Sequence, residues 1–185
     1  MARPQVTPTR QDRPGKTRGL RARLAAWLGA RRGASTLEFA VCFPIFLFGV
    51  FIVLENGYAL FAQSLLDNAT NDAARLIRTG QVQNAGGSSA AFRTRLCNDV
   101  GPVIPCSAIT FNVQAAASFA ALNSTVQTNG GKMASTSFTP GTPGQDVMVQ
   151  VAYQRPYLIP YVGAVIGQAN PGLMVATAAF QNELF

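Results

Sequence analysis

Histidine is absent from this 185-residue sequence. That removes the commonest general base and metal ligand, and with them the usual means of activating a serine or cysteine nucleophile. Charge is sparse at 12% of residues, so an exposed acidic or basic active surface is not expected. There are only three cysteines, and no third one lies near Cys97 and Cys106 to build a zinc site. Glycines are scattered, with neither the GxxxxGK[ST] nor the GxGxxG spacing that cradles phosphate. Glu38 and Glu55 would stand about 25 Å apart along one helix, too far for an acid/base pair. No catalytic residue, metal or cofactor is therefore expected, and the chain reads as something other than an enzyme.

The charge that is present lies at one end. The formal net charge is +7, yet residues 1–32 alone hold nine basic residues against Asp12, so everything from Gly33 onward sums to slightly negative. A pI near 10.0 would ordinarily suggest nucleic-acid binding. Here the basicity belongs to a leader and the body is nearly neutral, so no nucleic-acid partner is expected. Residues 1–19 combine Pro4, Pro8 and Pro14 with scattered charge and almost no apolar side chains, a composition expected to be disordered. Leu20, Leu24, Trp27 and Leu28 then share one helical face among Arg21, Arg23, Arg31 and Arg32. They read either as a basic amphipathic helix on an anionic lipid surface or as a charged flank without fixed structure.

Next comes Arg31-Arg32-Gly33-Ala34-Ser35-Thr36-Leu37-Glu38-Phe39, run straight into an apolar stretch that ends at Leu54. Residues 39–54 contain no charged or strongly polar side chain, and with 34–37 they make about 20 residues, a full bilayer crossing. Arg31 and Arg32 resist export and hold the leader on the cytoplasmic side. Gly33 leaves an uncluttered backbone at the junction where a protease can work. A secretory signal is the rival reading, with Ala59-Leu60-Phe61-Ala62 as a weak cleavage context. Pro44 removes one backbone donor inside the span and is expected to bend it. Cys42, also in the span, reads as a small core residue.

A glutamate at the edge of hydrocarbon is costly, and Glu38 has two readings. It is a partner for the amino group that cleavage after Gly33 would create at Ala34, or a helix N-terminal carboxylate that favours the dipole and reaches the headgroups. Glu55 reads as a boundary residue at the far interface.

Helical periodicity continues beyond the span. Leu54, Tyr58, Phe61, Leu65, Ala69, Ala73 and Leu76 form one apolar stripe, with Asn56, Gln63, Asp67, Asn71 and Arg78 on other faces. Gly80 is a plausible stop, giving one helix over about 34–79. Residues 81–91 form a polar linker, and a short helix is expected over 92–100. The period then changes to two at Ile109, Phe111 and Val113, at Val147, Val149, Val151 and Tyr153, and over 173–180. Pro140-Gly141-Thr142-Pro143-Gly144 marks the turn before the second strand. Residues 157–166 are too few to cross a bilayer and read as a buried or membrane-grazing connection.

The fold class is therefore α+β, with a long N-terminal helix, transmembrane then amphipathic, packed on a small antiparallel sheet. The expected parts are a leader (1–33), a span (34–55), the helix continuation (56–80), a linker (81–91) and a head (92–185). Cys97 and Cys106 flank a short loop in the exported part. In an oxidising compartment they are expected to pair, contributing about 2–3 kcal/mol, the alternative being two unpaired buried thiols.

The stretch Gly33-Ala34-Ser35-Thr36-Leu37-Glu38-Phe39 resembles the prepilin-peptidase site of Flp-type pilins and pseudopilins. Its continuation through Pro44-Ile45, and the helix ending Ala73-Ala74-Arg75-Leu76-Ile77-Arg78-Thr79-Gly80-Gln81, resemble the TadE-like family of tight-adherence pilus assembly. The spacing of Cys97 and Cys106, the Pro140–Gly144 turn and the ending Asn182-Glu183-Leu184-Phe185 are similar too. Tyr58, Gln181 and Leu184 depart from the family pattern.

The resemblance implies a pilin-like pseudopilin, cut between Gly33 and Ala34 by prepilin peptidase, with Glu38 and Phe39 acting in assembly. The implied partners are a TadF-like pseudopilin, the major Flp pilin, the pilus assembly platform and membrane lipid. The implied location is single-pass in the inner membrane, leader cytoplasmic and head periplasmic, with passage into the pilus after assembly. The reading from another class is an uncleaved, membrane-anchored binding module.

Overall fold

The computed structural model describes residues 34–134, 136–157 and 172–185. The expectations for the leader, for Arg31, Arg32 and Gly33, and for the connection after Tyr157 lie outside the described residues. Helix α1 runs from Ala34 to Arg78, and the chain divides between Leu47 and Phe48 into two units.

In the first unit the described residues are all helical, and every side chain from Ser35 to Phe46 is exposed. Helical assignment passes unbroken through Pro44. The expectation that Cys42 is a core residue fails, because it is exposed and unbridged.

In the second unit α1 continues to Arg78 and is followed by the single-turn helix α2 (Gln81–Asn84) and by α3 (Ser89–Val100). Arg75 and Arg78 in the last turn of α1 suit its negative end. The chain then leaves the helix through Gly80 at φ 74, a left-handed conformation that glycine adopts without penalty. The main sheet has strands β1 (Ile109–Ala116), β4 (Asp146–Arg155) and β5 (Gly172–Gln181) in the order β1-β4-β5, all antiparallel. A small hairpin of β2 (Thr128–Asn129) and β3 (Lys132–Met133) lies in the connection from β1 to β4. The three long strands fall where alternation predicts them, and α3 begins three residues earlier than the expected 92.

One face of the sheet presents Val113, Val147, Val149, Val151, Tyr153, Ala176 and Ala178 to a core shared with Leu66, Ala69, Ala73, Ile77, Phe92 and Leu96 of the helices. Full burial of each Leu, Val or Phe side chain contributes about 1.5–3 kcal/mol. Phe92, Phe111 and Phe138 close one side, with ring centroids 5.1, 5.7 and 6.1 Å apart.

The other sheet face is also covered. Gln150 donates to the Ser124 carbonyl at 3.0 Å and Gln154 to that of Gly131 at 3.3 Å, both in the β1–β4 connection. Strand β4 is therefore buried on both faces along most of its length, so the glutamines that alternate with its valines need these partners.

The helix face that meets this core overlaps the stripe expected from the sequence, sharing Ala69 and Ala73, but is rotated from it. Ala62, Leu66, Ala69, Thr70, Ala73, Ala74 and Ile77 are buried, whereas Leu54 and Phe61 are exposed and Tyr58, Leu65 and Leu76 are half-buried. Alanines at 62, 69, 73 and 74 allow close approach to the sheet, Leu65 and Leu76 pack at the edge of the core, and Leu54 and Phe61 are turned away.

Candidate functional site: the anchor helix and its buried ion pair

Of the residues expected to act in processing and assembly, the structure describes Ala34, Glu38 and Phe39. All three lie in the first turns of α1. Glu38 is exposed, and among the described residues no basic side chain pairs with it. Phe39 stacks on Phe43 at a centroid distance of 4.8 Å, one helical turn on. A carboxylate and an aromatic edge thus stand open on a helix end, free to meet a partner from outside the chain.

Cys97, on α3, is bonded to Cys106, which opens a short 3-10 turn before β1. Their Cα atoms are 5.4 Å apart, within the ordinary range for a bridge. The bridge fixes the end of α3 against the start of the sheet. Arg95 of α3 reaches Asp72 of α1 at 3.7 Å and Asp99 at 2.8 Å, which ties α3 to the helix as well.

Glu55, read from the sequence as a boundary residue at the far interface, is 3% exposed and forms an ion pair with Arg155 at the end of β4. The guanidinium Nη1 donates to the carboxylate Oε1. The Arg155 guanidinium also lies 4.9 Å from the Tyr157 ring centroid and 5.9 Å from that of Tyr58, close enough for cation–π attraction. Nearby, burial pushes the Tyr153 hydroxyl above its ordinary pKa, Tyr58 adds to the rise, and Arg155 opposes it.

Sequence reasoning missed Arg155, though a signal existed. Residue 155 continues the inward-facing series 147, 149, 151, 153. Residue 55 lies on the helical face of Ala62, Leu66, Ala69 and Ala73. An acid on one core-facing stripe and a base on the other each require a partner.

At the opposite end of the helix the C-terminal residues dock on α1. Asn182 donates to the Pro140 and Thr142 carbonyls at 2.9 and 3.1 Å. Glu183 pairs with Arg78 at 3.3 Å, and its amide donates to the Arg78 carbonyl at 3.0 Å. The Phe185 ring lies so close to Gly80 that a Cβ there would fall 2.3 Å from it.

A cleft of about 300 Å³ on the head is lined by Ser107, Thr110, Lys132, Gln154 and Leu173 among others. Among the described residues Lys132 is the charged group in that lining. The described residues combine one helix long and apolar enough to cross a membrane with a head held to that helix by ion pairs.

Comparison with known families gives a match over residues 33–75 to the family described as TadE-like protein. No curated protein and no solved structure matches the chain.

Proposed function

We propose that this chain, TadE-like over residues 33–75, is a minor pilin or pseudopilin of a Flp-type tight-adherence pilus. A role connected with such pili follows from the TadE-like segment itself. The finer reading is that prepilin peptidase cuts between Gly33 and Ala34, that the basic leader stays in the cytoplasm through Arg31 and Arg32, and that the head is periplasmic. Glu38 then meets the new ammonium at Ala34, either in the same chain or in a neighbour, and Phe39 packs alongside. A TadF-like pseudopilin, the major pilin and the assembly platform are the partners in this scheme.

The observation that carries the reading is the family match, which begins at the expected cut-site glycine and covers the anchor. Support also comes from Glu38, since an exposed carboxylate at the start of an apolar helix gains from a cation at the same depth. The deciding measurement is the mature N-terminus of the protein from cells with and without active prepilin peptidase. Ala34 as first residue only where the peptidase is active is the expected result. An intact leader in cells with active peptidase overturns the reading.

A further inference from the structure

On the sequence, lipid contact ends at Glu55, the first charge after the apolar run. In the structure that charge points elsewhere. Glu55 is buried against the head and paired with Arg155, so it places no carboxylate on the outward face of the helix. That face carries Val50, Val53, Leu54, Gly57, Leu60 and Phe61, spaced at three and four residues, all of them exposed. Leu60 is 73% and Phe61 56% exposed, and a side chain at Gly57 would meet nothing within 4 Å. On the same stripe the next positions are Ser64, Asn68 and Asn71, all exposed and polar. The chemistry of the stripe therefore changes between Phe61 and Ser64, not at Glu55.

We infer that lipid contact continues along this face of α1 to Phe61, and that the Glu55–Arg155 contact lies where the acyl chains meet the headgroups. The occupant of the stripe is the membrane itself. The stripe is continuous with the span and contains no charged side chain, and it turns polar within one turn as a face leaving a bilayer must. The rise from Leu54 to Phe61 is about 10 Å, more than the ~5–8 Å depth of one headgroup layer, so the stripe starts in the acyl chains and ends within the headgroups. Tyr58, Tyr157 and the Arg155 guanidinium beside them are of the types that suit that layer, with apolar bodies and polar tips. Neutralising Glu55 inside the protein is what makes this depth accessible, because a free carboxylate there would resist it.

The inference rests on the reading of α1 as a membrane anchor, and one experiment separates the two. Full-length protein carrying Trp27→Phe, which removes the only tryptophan, is reconstituted in phosphatidylcholine–phosphatidylglycerol vesicles. Part of the phosphatidylcholine is brominated near the top or near the end of its acyl chains. Single tryptophans are introduced by Val50→Trp, Phe61→Trp, Leu60→Trp and Asn71→Trp, and each is quenched by bromolipid and by aqueous acrylamide. The probes at 60 and 61 are expected to lose emission to shallow bromine and to resist acrylamide. The probe at 71 should do the reverse, and the probe at 50 should respond to deep bromine.

Acrylamide quenching at 60 and 61 equal to that at 71 overturns the inference. So does shielding from both quenchers, which would mean that protein, such as a second copy, covers the stripe. A probe at 50 that no bromolipid quenches overturns the membrane anchor instead.

Discussion

Glu55 and Arg155, 100 residues apart in sequence, form a buried ion pair that joins helix α1 to the end of the central strand. A guanidinium and a carboxylate removed from water are tolerated only when each satisfies the other. Tyr58 and Tyr157 complete the surroundings of the guanidinium, so the contact is both ionic and packed.

Breaking this pair from one side is expected to be costly. Glu55→Ala leaves Arg155 buried without its carboxylate, and a loss of about 3–5 kcal/mol is expected by chemical denaturation in detergent. The double variant Glu55→Leu/Arg155→Met should recover most of that loss, since apolar groups of similar volume replace such pairs with little net cost. Equal destabilisation in the single and double variants would show that the pair is not coupled.

Gly80→Ala tests the far end of the helix. The backbone there is left-handed at φ 74, and a methyl group would overlap the Phe185 ring. A loss of roughly 1–3 kcal/mol is expected, read from thermal unfolding. Adding Phe185→Ala should return the part that comes from overlap and leave the part that comes from φ. A Gly80→Ala variant as stable as the parent would refute both.

The Tyr153 hydroxyl has its pKa raised in the fold, first by burial, then by Tyr58, against the opposing Arg155. The folded state thus prefers the neutral phenol. That contribution is complete below the ordinary tyrosine value of about 10 and is lost as pH rises through the higher folded value. Denaturation midpoints are therefore expected to fall on the alkaline side of about 10. In Tyr153→Phe that alkaline fall should be smaller, and an unchanged alkaline profile would count against the assignment.

Glu38→Ala separates processing from assembly. The carboxylate lies on the first turns of α1, beyond the proposed cut. The variant should therefore be cut as the parent is, while surface piliation, counted by electron microscopy, falls sharply. Normal piliation in a correctly processed Glu38→Ala strain would remove the proposed pairing with the Ala34 ammonium.

Much of this architecture was legible in the sequence, for identifiable reasons. Alternation in β1, β4 and β5 is a local signal that tertiary packing did not need to override. Gly80 announces the end of α1 because few other residues accept its backbone angles. The orientation of α1 was harder to read, because the helix carries two overlapping stripes that share Ala69 and Ala73, and the core centres on the less bulky one. The sequence favours the stripe of Leu54 and Phe61 by bulk, whereas the sheet takes Ala62, Leu66 and Ile77, where alanines let it approach. The Glu55–Arg155 pair escaped notice for a related reason. Each charge sits on a core-facing stripe of its own element, but which partner it meets depends on a register that no local pattern encodes.

The head is fastened to one helix at three levels, through Arg155 at residue 55, Arg95 at residue 72 and Glu183 at residue 78. Tension drawn along that helix would load these attachments together, in shear, rather than peeling the sheet away one contact at a time. Mechanical strength would then be shared between a buried ion pair at one end and exposed pairs at the other. Ionic strength, which screens the exposed pairs far more than the buried one, would weaken the far end first.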